Sequence, residues 1–287
     1  MRGIRVVSTL LLLWLFTVQA YAQCQQKSLR VAVIPKKGMD VLLHEYRPLL
    51  DQLSLKLSMP VEIVASSSYE SVVDAIVSGG VDIAWLGPAS YILAHGRDPR
   101  IEPFASLTID GGYFTPPGHH YQALLLVRAS EFDSLEALRG KTVALSDPVS
   151  TSGSLIPNAE FARLTGLPLA RFFGSVSYSG SHDKSLDALL GKRIDAVFVA
   201  SVRADAYLRE GRMQQDSLRV LWRSEPIYYD PYVFSGSLCD ELKRAIGSVM
   251  LGDRAVLGDF LKSQGASGLA PVSHAEYAPL QQLMQGR

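Results

Sequence analysis

Short apolar runs alternate with longer amphipathic segments in the first part of the chain. The runs Leu29–Ile34, Val61–Val64 and Val81–Leu86 are short and mostly apolar, which is typical of buried strands. Between them, Tyr46–Leu57 and Tyr69–Val77 place their leucines, valines and isoleucine on one face at helical spacing. This order predicts a βαβαβ unit, which implies a parallel sheet with helices on its faces.

A second α/β run follows and begins at the predicted strand Tyr121–Arg128. Its remaining elements are predicted, in chain order, as a helix at Ser134–Leu138, a strand at Lys141–Leu145, a helix that reaches Leu164, a strand at Phe172–Val176, a helix at Asp183–Leu190, a strand at Ile194–Val199 and a helix at Ala204–Glu210. Another strand starts at Leu218–Trp222 and is interrupted by Pro226 and Pro231. Beyond Cys239 the apolar residues recur at helical spacing, so the tail is predicted to be entirely helical.

The helical tail needs a surface to cover, and the pattern provides no third sheet for it. The economical arrangement docks the tail on the first unit, so the chain crosses between two lobes near residues 119–128 and again near 223–234. The predicted lobes are 23–118 together with 224–287, and 119–223. Two crossings define a hinge over a cleft, and open α/β sheets bind ligands beyond the carboxyl ends of their strands. The cleft is therefore the predicted binding site.

The N-terminus has the pattern of a secretory signal peptide. Arg2 and Arg5 precede the apolar run Val6–Phe16, and Ala20–Ala22 reads as a small-x-small cleavage site. Residues 1–22 are therefore predicted to direct export to the periplasm, with an uncleaved anchor as the alternative. No later segment is long and apolar enough to span a bilayer.

Composition excludes some function classes. The 287 residues are 47% hydrophobic and include 28 basic and 28 acidic side chains, which is typical of a globular protein without the basic excess of a nucleic-acid binder. The two cysteines, Cys24 and Cys239, lack metal-ligand spacing, so no metal and no cofactor are predicted. In an oxidising compartment they either form a bridge or remain two free thiols. Lipid attachment at Cys24 is disfavoured because Gln23 is not a small residue.

Four hydroxyl side chains and a glycine stand before an apolar run in the loop Asp147–Pro157. Because proline is tolerated in the first turn, the helix is expected to begin near Gly153 or Ser154. The backbone N–H groups of Ser152–Leu155 would then be free at the positive end of a helix, with hydroxyl donors beside them. This predicts an anion cradle, and a plain serine N-cap is the alternative.

Further donors precede other helices. The loop Ser177–Asp183 repeats the hydroxyl pattern and puts His182 at a helix start, where its imidazole would donate to an anion and would bind it better when protonated. The cluster Ser66–Tyr69 does the same in the other lobe, and no lysine or arginine stands among these helix starts. Packing roles for His182 and the tyrosines remain alternatives.

Asp230 in the second crossing is a carboxylate close to a presumed anion. A tetrahedral oxyanion that keeps a proton donates its P–OH to this carboxylate, whereas fully ionised sulfate leaves two acceptors facing each other. The alternatives are that Asp230 braces a turn, binds a ligand amine or bridges to Arg203.

These motifs together resemble a known family. The marks are Leu29–Pro35, Gly87–Tyr91, Ser150–Leu155, Ser179–Asp183 and Ile227–Pro231. They are similar to the phosphate, phosphite and phosphonate-binding proteins of ABC importers, the PhnD-like branch of the type II periplasmic binding proteins. The resemblance covers nearly the whole mature chain. It implies an α/β, two-lobe Venus-flytrap fold with two hinge crossings and a non-enzymatic, monomeric receptor that hands a small oxyanion to an ABC permease.

The family's ligand positions fall on particular residues of this chain. The resemblance implies contacts from a tyrosine that starts the second helix, a tyrosine of the crossing strand, the hydroxyl loop, the histidine and the aspartate before proline. Here these positions are Tyr69, Tyr121, Ser150, Thr151, Ser152, His182 and Asp230.

One departure concerns the ligand. Aminophosphonate binders of the family hold the ligand amine with an acidic residue after the strand predicted at Ile194–Val199. The segment Ala200–Ala204 has no carboxylate, and the next is Asp205. We therefore expect a smaller oxyanion such as phosphite, methylphosphonate or phosphate.

Two other functions use the same residues. A receptor that signals to a sensor kinase would have the same fold and site. A hydrolase would use a serine of the loop with His182 and Asp230, but the sequence lacks a nucleophile elbow of the Gly-x-Ser-x-Gly type.

Overall fold

The computed structural model describes residue 24 and residues 26–285, so the predicted signal peptide at 1–22 lies outside the described residues. The strands are β1 (Leu29–Val33), β2 (Val61–Val64), β3 (Ile83–Trp85), β4 (Glu102–Ile109), β5 (His120–Tyr121), β6 (Ala123–Arg128), β7 (Thr142–Leu145), β8 (Ser175–Tyr178), β9 (Ala196–Ala200), β10 (Leu218–Arg223), β11 (Ile227–Tyr228), β12 (Pro231–Phe234) and β13 (Ala266–Pro271). The α-helices are α1 (Met39–Leu57), α2 (Tyr69–Val77), α3 (Pro88–Arg97), α4 (Ile156–Thr165), α5 (Leu169–Phe172), α6 (His182–Leu190), α7 (Ser201–Arg209), α8 (Asp240–Met250), α9 (Gly258–Gln264) and α10 (Ala278–Gln285). No helix in this described part is long and apolar enough to cross a bilayer.

The first lobe is built on a six-stranded sheet in the order β13-β4-β12-β3-β1-β2. β1 runs parallel to β2 and β3, as the βαβαβ pattern predicts, while β12 and β13 come from the other end of the chain and run antiparallel to their neighbours. Side chains alternate across β1: Leu29, Val31 and Val33 pack in one core, and Ala32 packs in the core on the opposite face. Both faces of the sheet are therefore covered.

The second lobe is built on a five-stranded sheet in the order β10-β6-β9-β7-β8. β7 is parallel to β8 and β9, and β6 is antiparallel to β9. Leu124 and Leu126 pack on one face of this sheet, whereas Leu125 and Val127 pack on the other beside Phe161. The continuous apolar run of β6 is thus explained by burial on both faces.

The two crossings between the lobes lie side by side. β5 pairs with β11 in a separate two-stranded sheet, with Tyr121 opposite Ile227. The strand predicted at Tyr121–Arg128 is therefore two strands, because the chain leaves this small sheet at Gln122 and enters the second lobe. Phe114, from the loop before the crossing, already packs in the second lobe's core. The lobe boundaries at 118/119 and 223/224 stay predictions.

Two further predicted elements differ from the structure. The tail is not entirely helical, because β13 pairs with β4 at the edge of the first sheet. Its sequence, Ala266–Pro271, is made of small residues with little strand propensity, so the pairing partner rather than the local pattern determines its conformation. The strand predicted to start at Phe172 begins at Ser175 instead. Phe172 ends α5 because its ring packs against Phe161 in the core.

The cysteines are paired. Cys24 and Cys239 form a disulfide with their Cα atoms 5.9 Å apart, which decides between the two arrangements that the sequence left open. The bridge ties the segment before β1 to the residue that precedes α8. Both ends belong to the first lobe, so the bridge does not restrain the hinge.

Candidate ligand-binding site

A closed cavity lies between the two lobes, next to the paired hinge strands. Its wall is formed by Ile34, Lys36, Tyr69, Gly87, Tyr121, Ser150, Thr151, Ser152, His182, Ala200, Val202, Arg203 and Asp230. All seven side chains predicted to bind ligand face this one space. The cavity is small, about 10 Å³.

The hydroxyl loop has a different local structure from the predicted one. Thr151–Leu155 forms a π-helical turn and α4 begins at Ile156, so the prediction that the helix starts near Gly153 or Ser154 is wrong. The N–H of Gly153 donates to Ser150 Oγ at 3.2 Å, and the N–H of Leu155 donates to Ser150 O at 2.9 Å. These two amides are therefore not free for a ligand, and the hydroxyls of the loop take a larger share of the wall.

His182 is the first residue of α6, placed there by the N-cap Ser181, whose Oγ accepts the N–H of Lys184 at 3.1 Å. The N–H of Ala200 donates to His182 Nδ1 at 3.3 Å, so the ring carries its proton on Nε2, which lies 3.4 Å from Ser150 Oγ. Burial, with the charges of Arg203 and Lys36 nearby, lowers the pKa of His182 to about 3. The imidazole is therefore neutral, and its Nε2–H is the available donor.

The neutral histidine also bears on the hydrolase alternative. In a Ser-His-Asp triad, a carboxylate holds the ring nitrogen that does not face the serine. Here the backbone N–H of Ala200 and the hydroxyl of Ser146 approach Nδ1, and no carboxylate among the described residues does so. The arrangement suits hydrogen-bond donation to a ligand better than proton abstraction.

Asp230 connects β11 to β12, and its main chain is fixed from two sides. Its carbonyl oxygen accepts from Trp85 Nε1 at 3.3 Å and from Ser106 Oγ at 3.1 Å. Burial raises the pKa of the carboxyl group, and Lys36, 4.0 Å away, opposes that rise. Asp230 does not bridge to Arg203, because that guanidinium makes two bonds to Asp183 at 2.9 and 3.0 Å.

Two cations line the cavity, contrary to the expectation of a wall without lysine or arginine. Lys36 follows β1, and its Nζ lies 3.6 Å from the centroid of the Trp85 ring and 3.5 Å from the hydroxyl of Tyr229. Burial lowers the pKa of Lys36, and the Asp230 carboxylate partly offsets this effect. Arg203 projects from the first turn of α7, directly after β9. Both residues follow the carboxyl ends of strands, and that position was a usable signal in the sequence.

Tyr69 contributes a buried hydroxyl group to the wall of the cavity. The residue begins α2 behind Ser68, which forms a capping box with Ser71. The side chain is buried, and its hydroxyl has no hydrogen-bond partner within the described part of the chain. A buried polar group left unpaired costs about 1–3 kcal/mol. A polar ligand in the cavity would remove that cost.

Hydrogen bonds between the lobes surround the cavity. The N–H of Ala89 donates to Thr151 Oγ1 at 2.9 Å, and the N–H of Tyr69 donates to Asp147 Oδ2 at 3.4 Å. The N–H of Asp183 donates to the carbonyl oxygen of Lys36 at 3.4 Å. These bonds join the loops that form the wall, so the lobes are in a closed arrangement.

Two α/β lobes joined by paired hinge strands and closed over a polar cavity define a solute-binding protein of the type II periplasmic class. The chain belongs to the family of ABC transporter phosphonate periplasmic substrate-binding proteins, whose model matches residues 31–277. The two-lobe fold predicted from the sequence is confirmed.

Named relatives agree with this assignment. The phosphate-import protein PhnD of Mycolicibacterium smegmatis is 28% identical over 271 residues, which cover 88% of this chain and 83% of that protein. The phosphonates-binding periplasmic protein of Escherichia coli is 25% identical and covers 79% of this chain and 66% of the relative.

Solved structures share the fold at lower identity. A binding component of a phosphonate ABC transporter from Pseudomonas aeruginosa has a TM-score of 0.80 at 22% identity, covering 90% of this chain and 86% of that one. PhnD1 of Prochlorococcus marinus, solved with methylphosphonate, has a TM-score of 0.81 at 21% identity, covering 91% of this chain and 98% of that one.

Proposed function

We propose that this protein captures a small phosphorus oxyanion that keeps one proton, such as phosphite, methylphosphonate or phosphate, and delivers it to an ABC importer. The observation that carries the proposal is the composition of one closed wall. It combines the hydroxyls of Ser150–Ser152, the neutral Nε2–H of His182 and the unpartnered hydroxyl of Tyr69 with the carboxyl group of Asp230. Many donors and one acceptor match an oxyanion that also has a P–OH or a similar donor.

The size of the cavity supports a small ligand. At about 10 Å³ it is far smaller than the pockets of roughly 300–1,000 Å³ that hold drug-sized ligands. Asp205, the first carboxylate after β9, does not line the cavity and instead accepts the N–H of Phe114 at 2.8 Å. An aminoalkyl group would therefore lack the acidic partner that the family's aminophosphonate binders use.

The charges of the wall suit a monoanion. Arg203 is paired with Asp183, and Lys36 lies 4.0 Å from Asp230, so each cation already has an acidic neighbour. A ligand proton placed between its own oxygen and Asp230 turns a repulsive pair of oxygens into a charge-assisted hydrogen bond. Sulfate has no proton to place there at neutral pH, and the wall is therefore expected to reject it.

The proposal that the ligand is delivered to a permease rests on the family and not on the cavity. We propose that residues 1–22 direct export to the periplasm and that the closed monomer then docks on an ABC permease. The hydrogen bonds between the loops of the two lobes would then report to the permease that a ligand is held.

Calorimetry on the mature protein tests the proposed function. Phosphite, methylphosphonate and phosphate are titrated beside sulfate and 2-aminoethylphosphonate at pH 7.5. Binding of at least one phosphorus oxyanion, with sulfate at least tenfold weaker, supports the proposal, and no binding of any phosphorus oxyanion overturns it. Ser152→Ala is expected to weaken binding, and the matched variant at the exposed Ser130, Ser130→Ala, leaves it unchanged.

A further inference from the structure

A second cavity adjoins the first between the same two lobes. Its volume is about 20 Å³, and it is lined by Lys36, Lys37, Glu45, Val202, Arg203, Arg209, Glu210, Tyr229, Ser263 and Gln264. Lys36, Val202 and Arg203 line both cavities, so these three side chains form the partition between them. A ligand substituent that passes Val202 moves from the first cavity into the second.

The second cavity is richer in cations than in carboxylates. Four of its residues are basic and two are acidic, and both acids already have partners. Glu45 pairs with Lys37 and also accepts from Gln264 Nε2 at 3.0 Å. Glu210 lies 3.5 Å from Arg212 and 4.0 Å from Arg203.

Arg209 is the basic residue of the second cavity that has no acidic partner among the described residues. It ends α7 in the second lobe, where its side chain is exposed, and no carboxylate in the described part of the chain lies within ion-pair distance of it. Its guanidinium reaches across to the first lobe, where a Cβ added at Gly265 would lie 2.8 Å from Nη2. A guanidinium without a carboxylate partner among the described residues therefore lies at the edge of the second cavity, next to the end of α9.

The side chains between the two cavities indicate which kind of ligand substituent would contact the Arg209 guanidinium. Ile34 and Val202 are the branched apolar side chains of the first cavity, and they suit a methylene attached to phosphorus. Beyond Val202 the substituent meets Lys36, Arg203 and Arg209. An amine there would face like charges, and a neutral alkyl end would leave these cations without a partner.

We propose that the second cavity is a subsite for the anionic end of a substituted phosphonate, so that the receptor also binds phosphonates whose short carbon chain ends in a carboxylate. This inference rests on the proposed function, because the phosphonate group has to occupy the first cavity. It extends the ligand class in the direction opposite to the aminophosphonates, because both acids of the second cavity already have cationic partners whereas Arg209 has no acidic one among the described residues.

Matched ligands test the subsite. Calorimetry compares phosphonoacetate and 3-phosphonopropionate with propylphosphonate, which has a neutral chain, and with 3-aminopropylphosphonate, which has a cationic one. A charge-assisted contact predicts that at least one carboxylate ligand binds roughly tenfold or more tightly than propylphosphonate, and the amine more weakly than both. Equal or weaker binding of both carboxylate ligands overturns the subsite. Methylphosphonate and phosphite in the same series keep the proposals separable, because their binding shows that the first cavity works.

Variants at Arg209 provide a second test. Arg209→Gln is expected to reduce the preference for 3-phosphonopropionate over propylphosphonate by about tenfold, whereas Arg209→Lys retains most of it. The control is Arg163→Gln, an exposed arginine of the same lobe that lines neither cavity; it leaves both affinities unchanged. An unchanged preference in Arg209→Gln, with a melting temperature equal to the parent's, overturns the role of Arg209.

Discussion

The replacement Asp230→Asn tests two effects of this carboxylate on ligand selection: its repulsion of a fully ionised anion and its hydrogen bond to a protonated one. At 4 Å and an effective dielectric constant of 20, two like unit charges repel by about 4 kcal/mol. A sulfate in the cavity would meet this repulsion from the carboxylate, whereas a protonated oxyanion replaces it with a charge-assisted hydrogen bond worth about 1.5–3 kcal/mol. Asparagine removes the negative charge, and with it both the repulsion and the charge assistance of the hydrogen bond, while preserving shape. It also leaves the carbonyl contacts of residue 230 with Trp85 and Ser106 in place.

The expected result is therefore a change of selectivity and not a uniform loss. Since each 1.4 kcal/mol is tenfold, phosphite is predicted to bind about 10- to 150-fold more weakly to Asp230→Asn, and sulfate to gain by up to about 10³-fold. Calorimetry at pH 7.5 with phosphite, methylphosphonate and sulfate measures both shifts. Asp216→Asn, an exposed aspartate of the second lobe, is the matched control. The reasoning is refuted if Asp230→Asn weakens phosphite and sulfate by the same factor, or if the parent binds them equally.

Three further predictions concern other parts of the molecule. The pKa of His182 is lowered to about 3 in the folded protein, so below about pH 6.5 the unfolded chain binds one proton more than the folded chain, and stability falls as pH falls. Between pH 7 and 5, the parent should therefore lose about 2 kcal/mol more unfolding free energy than His182→Asn, as measured by denaturant titration. Gly153→Ala places a Cβ against Ser146 and should cost about 1–3 kcal/mol in unfolding free energy, partly restored by adding Ser146→Gly; full stability of the single variant would contradict the close packing. Cys24→Ser removes the disulfide to Cys239 and should lower the unfolding free energy by up to about 5 kcal/mol, with phosphite affinity unchanged. A loss of affinity would show that the disulfide influences the hinge.

The sequence predicts most of the fold wherever burial is periodic. β1 to β3 and the helices between them alternate apolar and polar positions at the spacing of strands and helices, so local pattern and final structure agree. The positions of the strand ends also predicted which residues meet at the site. Residues that follow the carboxyl ends of parallel strands converge at one edge, and Tyr69, Ser150 and His182 all meet at the cavity although they are far apart in the chain.

The errors arise where a distant partner determines the outcome. β13 is a strand because β4 offers an open edge, which no local pattern in Ala266–Pro271 reveals. The protonation of His182 depends on the N–H of Ala200, eighteen residues away in the chain, and on complete burial. Lys36 had a usable position after β1, but a lysine is normally read as a solvated side chain. The face of Trp85 and the nearby Asp230 carboxylate, both distant in the chain, explain its burial.

The pairing of β5 with β11 has a consequence for how the site assembles. Tyr121 belongs to one of these strands, and Asp230 follows the other by two residues, so both lie near the axis about which the lobes turn. On opening about this pair, Ser150 and His182 would move away with the second lobe, and Tyr69 would stay with the first. An arriving solute would thus find an aromatic hydroxyl and a carboxyl group already in position at the pivot, and the remaining donors would reach it last.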